Sequence, residues 1–307
     1  MKLTVGIADT VIGIRLLGEA ERAISLCLQY FEDYLCPGRR IDANIRISVL
    51  KNPDKTSPFK KMGRKRLIEG RLSTNDVTAW LENIPGQIHD FPLTARTLSF
   101  FFLGGVLLFN PDTSDGCILL KEGAGPFRPL YRLLWMYLAQ VLGERRGCFV
   151  HSAALVRNEK GYLFIGPSGA GKTTLAKRFG GSMIFSDDGP VLRPRNGDYF
   201  VFPSPYRQTV SLKGQAGDLP GMSARVEGLY FLIQDDRTYL EGLSKREALP
   251  LIISRHILFF PYLSAGARAH LFNLFFDICD RIPLHNLHVC LDQDIWEAID
   301  SSARRLT

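Results

Sequence analysis

No Cys-x-x-Cys spacing occurs in the 307 residues, and the six cysteines (Cys27, Cys36, Cys117, Cys148, Cys279, Cys290) are too scattered for a dense disulfide framework. Thiols so spaced in a chain of this size point to a reducing, cytoplasmic setting. Long apolar runs are equally scarce. The longest, Leu98 to Phe109, is about half the length a membrane helix needs and contains Gly104-Gly105, so two buried strands joined by a turn are expected there. Met1 to Gly6 lacks an apolar stretch behind a basic start, which argues against a signal peptide. Internal repeats and low-complexity tracts are missing too. A soluble protein with no membrane partner is the expectation.

Concentrated positive charge is also in short supply. The net charge of +7 and pI near 9.1 favour an anionic partner such as a nucleotide, but the excess is too diffuse to point to nucleic acid. With 46% hydrophobic and 22% charged residues, the composition is that of an ordinary globular protein, long enough for two domains.

What is present is a complete phosphate-loop pattern, Gly-x-x-x-x-Gly-Lys-[Ser/Thr]. It is filled by Gly166, Pro167, Ser168, Gly169, Ala170, Gly171, Lys172, Thr173 and Thr174. Tyr162 to Ile165 reads as the strand entering the loop, and Thr173 to Phe179 as the helix leaving it. Glycines remove Cβ atoms, so successive backbone N–H groups can converge on phosphate oxygens, and the helix N-terminus adds positive potential. In that pattern Lys172 reaches the β- and γ-phosphates and the Thr173 hydroxyl ligates Mg²⁺, so ATP and Mg²⁺ are the expected cofactors. The bland counterpart is a glycine-rich turn that binds nothing.

A phosphate loop gives binding, not a reaction, so carboxylates matter next. The short apolar run Met183 to Phe185 leads into Ser186-Asp187-Asp188, 15 and 16 residues beyond Lys172. A right-handed crossover would set this strand beside the loop strand with its acids facing the phosphates. One acid can hold Mg²⁺ and the other can accept a proton from an attacking hydroxyl. Asp235-Asp236, after the apolar run Leu229 to Ile233, is a rival pair that also reads as a plain turn. His151, on the strand before the loop strand and 21 residues before Lys172, suits either a structural hydrogen bond or a phosphate contact. His285, His288 and Cys290 invite a zinc reading, with His288 and Cys290 on one strand face, but no fourth ligand is evident. Lys177 and Arg178 lie past the first turn of the loop helix and read as solvated.

Elsewhere, strands are expected at Leu3–Ile7, Val11–Leu17, Ile45–Leu50, Cys148–Val156, Val191–Arg193, Tyr199–Phe202 and Gly228–Gln234. A hairpin is expected across Asp112–Gly116. Helices are expected at Gly18–Tyr34, Pro129–Leu142, Lys245–His256, Ala265–Asp280 and Gln293–Arg304. The basic run Lys60–Arg66 reads as a solvated loop or a contact for an acidic or phosphate-rich partner, and Ser211–Ala224 as a loop over the site. These pieces predict an α/β protein. An N-terminal α+β domain, 1–146, would offer a docking surface, and a C-terminal domain, 147–307, would build the phosphate loop on a central mixed sheet flanked by helices.

His151 to Val156, Gly166 to Thr174 and Ser186-Asp187-Asp188, in that order, resemble the HPr kinase/phosphorylase family, whose nucleotide site is related to that of phosphoenolpyruvate carboxykinases. The resemblance covers about residues 148 to 210. It implies a metal-assisted kinase acting on a serine hydroxyl of a small protein or peptide. Asp187 would be the base, Asp188 would assist with metal beside Thr173, and His151 would sit near the transferring phosphoryl group. Two departures accompany it. Thr173-Thr174 stands where the family usually has Ser then Glu, and its Glu-Ile-Arg-Gly-Leu signature has only a faint counterpart in Arg225 to Leu229, with the charged positions exchanged. The resemblance therefore carries no expectation of phosphorolysis. The layout is closer to HPr-kinase-like proteins found among peptide-modification genes.

Other readings stay open. The chain could be a non-catalytic, nucleotide-gated module that presents a peptide to other enzymes. An ABC-type or small-GTPase-like ATPase would share the loop, but no LSGGQ-like or Asn-Lys-x-Asp motif is present. Nucleoside-monophosphate kinases usually begin near their loop. The acceptor and a homo-oligomeric state are open on sequence grounds.

Overall fold

A computed structural model describes residues 2–17, 31, 34–50, 69–71, 91, 93–103, 105–121, 127–179, 183–205 and 221–303. The expected helix at 18–34, apart from residues 31 and 34, lies outside the described residues, as do the basic run 60–66 and most of the expected loop at 211–224. The chain clusters into two compact units: Met1–Arg145 with Pro261–Ala267, and Arg146–Phe260 with Arg268–Thr307.

The first unit is built on a seven-stranded sheet. β1 (Lys2–Ile7) and β2 (Thr10–Leu17) form a hairpin whose two linking residues, Ala8 and Asp9, take φ of 47° and 62°. Paired positive φ values suit the twist of a two-residue hairpin. β3 (Ala43–Leu50) runs parallel to β2, and its Ile45 and Ile47 are buried as the alternation predicts. β4 (Glu69–Arg71), β5 (Leu98–Phe102), β6 (Gly105–Asn110) and β7 (Asp115–Lys121) complete the order β1-β2-β3-β7-β6-β5-β4. The apolar run 98–109 is thus two strands. α1 (Phe127–Glu144) lies on this sheet at close range. A Cβ on Gly105 would stand 2.6 Å from Leu133 and one on Gly116 2.5 Å from Tyr137, so absent side chains set the helix-to-sheet distance. Among the described residues, no helix is long and apolar enough to cross a membrane.

The second unit carries a nine-stranded mixed sheet. Cys148 to Val156, expected as one strand, is two: β8 (Cys148–Phe149) and β9 (Ser152–Arg157). The break falls where Val150 bridges to Ile257 and His151 N–H donates to His256 O at 2.7 Å, so a segment a hundred residues away takes over the pairing. β10 (Lys160–Ile165) returns antiparallel to β9 through a turn at Asn158 and Glu159, both at positive φ. α2 (Lys172–Phe179) follows the glycine-lined loop, then β11 (Met183–Ser186), β12 (Val191–Arg195), β13 (Asp198–Phe202) and β14 (Ala224–Gln234).

β11 does not sit beside β10, contrary to the crossover expectation. It pairs with β9, which lies between them. The reason is local: the tight 158–159 turn sets β9 on one edge of β10 and β14 takes the other in parallel, which leaves β11 the outer edge of β9. β15 (Tyr239–Gly242), α3 (Lys245–Leu251), α4 (Ala265–Arg281), β16 (Leu284–Val289) and α5 (Ile295–Ala303) complete the described elements. The expected helix 245–256 ends instead in a wide turn over Ile252–His256, closed by Ile257 N–H to Ile252 O at 3.2 Å. Such i→i+5 turns recur at functional sites.

One face of this sheet is covered by α2 and α5. Leu175 and Ala176 from α2, and Ile295, Trp296 and Ile299 from α5, pack on Ala153, Leu155, Phe164 and Leu232. Arg157 clamps α5 with a two-pronged bond to Asp300 at 2.9 and 3.0 Å, its guanidinium 4.9 Å from the Trp296 ring. That packing fixes the start of α2, and with it the loop.

Candidate functional site

The loop between β10 and α2 takes its shape from two kinds of glycine. Gly169 and Gly171 adopt φ of 85° and 94°, conformations that L-residues rarely enter, and a Cβ on either would meet nothing within 4 Å. Gly166 is needed for the opposite reason: a Cβ there would stand 2.8 Å from that of Ala170. Leu175 N–H donates to Gly171 O at 2.8 Å, which starts the helix at the end of the loop. Gln234, at the end of β14, ties the loop to the sheet by donating to Gly169 O at 3.2 Å. Ser168 and Thr174 are exposed.

Lys172 is 6% exposed, and its ammonium donates to Gly166 O at 2.8 Å and Pro167 O at 3.0 Å. Burial pulls its pKa below the usual lysine value, while the charge on Asp188 opposes that shift. The Thr173 hydroxyl donates to Asp187 Oδ2 at 3.4 Å. Asp187 and Asp188 follow β11 directly and are 0% and 7% exposed, so two adjacent carboxylates are held almost wholly out of water. Ser186 Oγ accepts from the N–H groups of Asp188 (3.3 Å) and Gly189 (3.0 Å), which curls the chain just past the strand. His151 Nε2 lies 3.3 Å from Asp188 Oδ1, yet that oxygen is buried without an aligned hydrogen bond. The predicted residues Lys172, Thr173, Asp187, Asp188 and His151 therefore gather at one end of the sheet, although β9 separates the strands that carry the loop and the acids.

One residue of this group carries no motif. His256, in the wide turn after α3, is 5% exposed, and its ring centroid is 6.2 Å from that of His151. Its Nδ1 is buried without a hydrogen bond. Burial, then the neighbouring charges of His151, Lys172 and Arg255, holds its pKa down to about 4. The imidazole is neutral at pH 7. Its only trace in the sequence is a histidine in Ser254-Arg255-His256-Ile257, a pattern with no spacing to read.

The rival residues lie apart. Asp235 accepts from His288 Nδ1 at 2.7 Å, and this bond, helped by Asp236, holds its carboxyl down to about 2. His288 stacks on Tyr239 at 4.1 Å, and His285 stacks on Tyr230 at 5.8 Å. Cys290 lies beyond the end of β16, where its N–H donates to Thr238 Oγ1. Among the described residues no His, Cys, Asp or Glu group of three or more has a metal-holding arrangement. Lys177 and Arg178 are exposed, with Arg178 3.4 Å from Asp292.

The chain is thus a mixed α/β protein in which buried paired acids lie beside a glycine-lined strand-to-helix loop. The chain belongs to the family described as "SynChlorMet cassette protein ScmC", whose model matches residues 132–304. No curated protein matches it. Among solved structures, the Hpr(Ser) kinase/phosphatase from Coxiella burnetii is similar at 13% identity, covering 50% of this chain and 87% of that one, with a TM-score of 0.31.

Proposed function

We propose that this chain is an ATP-dependent kinase that transfers the γ-phosphoryl group to a serine hydroxyl of a peptide or small protein. The observation that carries the reading is the meeting of Lys172, Thr173, Asp187, Asp188 and His151 at the loop. These residues fit Mg²⁺-ATP. Gly169 and Gly171 open the loop to close approach, and the buried Asp188 Oδ1 has a lone pair to give. Bound there, Mg²⁺-ATP would supply the phosphoryl group and the cation that balances its charge. Lys172 would exchange its two loop carbonyls for phosphate oxygens, and Thr173 with Asp188 would hold the metal. Asp187, desolvated and adjacent, would accept the proton of the attacking hydroxyl. "Cassette" in the family description suits an acceptor encoded by a neighbouring gene.

The test is mass spectrometry of neighbouring gene products after incubation with this protein and Mg²⁺-ATP. A gain of one phosphate on one peptide is expected. Asp187→Asn should cut transfer by roughly 10²- to 10⁴-fold while nucleotide still binds; an unchanged rate would remove Asp187 from the chemistry. One observation favours a second reading, a nucleotide-gated module that presents a peptide without modifying it: Lys172 is already satisfied by its own loop. Tight ATP binding with no transfer to any partner would decide for it.

A further inference from the structure

The first unit carries a row of positive charge that the site in the second unit does not use. Lys2 is the register partner of Arg15, and Arg15 is the partner of Arg46. Directly opposed residues project from the same face of a sheet, and neighbouring strands lie about 4.8 Å apart, so three cations stand within roughly 10 Å. Lys2 and Arg15 are exposed on this row, which makes it a source of field for an anion.

The row lines a cavity of about 390 Å³. At the next level along the same strands stand Thr4, Gly13 and Asn44. The missing side chain of Gly13 leaves room that Asn44 and Ile41 lean over: a Cβ there would lie 2.9 Å from Asn44 Oδ1 and 3.0 Å from Ile41 Cδ1. Ile41 is 44% exposed, and Phe91 joins it in the lining. Asp115 is the one acid among the described lining residues.

This mixture selects an occupant. A compact polyphosphate would satisfy the cations but would face Asp115 and gain nothing from Ile41 or Phe91. A peptide uses every part. Its carboxylates meet Lys2 and Arg15 beside Arg46, its backbone N–H groups suit Asp115 and Thr4, and an apolar side chain covers Ile41. We infer that this cavity docks an acidic, partly apolar polypeptide segment through its carboxylates. The docking rests on the first unit alone and does not depend on phosphoryl transfer by the second.

The probe is a fluorescently labelled ten-residue peptide of alternating glutamate and leucine, titrated with the full chain and followed by anisotropy. The Glu-to-Gln counterpart and tripolyphosphate are the comparisons. The acidic peptide should bind, and the Gln peptide about tenfold more weakly or worse. Lys2→Glu with Arg15→Glu should cost a similar factor with the melting curve retained, because both side chains are exposed. Should that double variant fail to fold, Arg15→Gln should show a smaller loss. Lys172→Ala should leave docking unchanged, which separates this binding from the kinase reading. Equal affinity for the Gln peptide, undiminished binding after charge reversal, or capture of tripolyphosphate without the peptide would each overturn the assignment.

Discussion

His256 gives the site a pH signature with a sign and a size. The ordinary histidine pKa is 6.5, and in the folded chain this imidazole is held to about 4. The depressed folded value means that the unfolded chain takes up the proton first as pH falls. The stabilisation is complete above pH 6.5, drains away between 6.5 and 4, and loses nothing more below that. A gap of about 2.5 pKa units at 1.36 kcal/mol each amounts to ~3 kcal/mol at full extent. Other groups also take up protons on acidification, so wild type alone cannot isolate the part due to His256. His256→Gln keeps a polar side chain that does not titrate, and the difference between the two proteins isolates it. Urea unfolding at pH 7.5, 6.0, 5.0 and 4.5 is the measurement. Wild type should lose stability relative to His256→Gln on acidification, most steeply below pH 6. If the difference stays flat to within about 0.5 kcal/mol, His256 is not held neutral by burial, and its place beside His151 and Lys172 would need redrawing.

Three other perturbations have expected outcomes. Lys172→Ala should abolish binding of a fluorescent ATP analogue while leaving the melting temperature within a few degrees, since the ammonium's hydrogen bonds among the described residues go to its own loop. Gly171→Ala should cost about 1–3 kcal/mol by chemical denaturation because its φ of 94° is strained for any L-residue. Trp296→Ala should cost about 3 kcal/mol or more, since the ring packs against Tyr162 (5.0 Å), Phe164 (6.1 Å) and the Arg157 guanidinium; a loss under 1 kcal/mol would show that α5 contributes little.

What could be read from the sequence was local. Gly166 to Thr174 announces its strand, loop and helix because the constraint is a backbone one, written in glycines at fixed spacing. The alternation of Ile45, Ile47 and Val49, the Gly-split run 98–109 and the acids after Met183 to Phe185 were legible for the same reason: each is decided within about ten residues. What failed depends on distant partners. The order of β9, β10 and β11 turns on the β9–β10 hairpin occupying the edge of β10 that the crossover rule would give to β11. The interruption at Val150 and His151 is made by Ile257 and His256, which no window around residue 150 contains. His256 itself has no sequence signal because burial and neighbours, not a motif, single it out. The basic row of the first unit was hidden likewise, since Lys2, Arg15 and Arg46 become neighbours only when three strands fall into register.

The interposed strand β9 has a consequence for how this site can change over evolution. Its backbone is bonded on one side to the strand that launches the loop and on the other to the strand that delivers the acids, and His151 stands just ahead of it. An insertion at Asn158 or Glu159 that slipped β9 by one step against β10 would carry β11 along with it and move Asp187 and Asp188 relative to Thr173. The turn's length works as a ruler for the whole constellation, so lineages that keep the chemistry should hold its count fixed and favour residues that accept positive φ there.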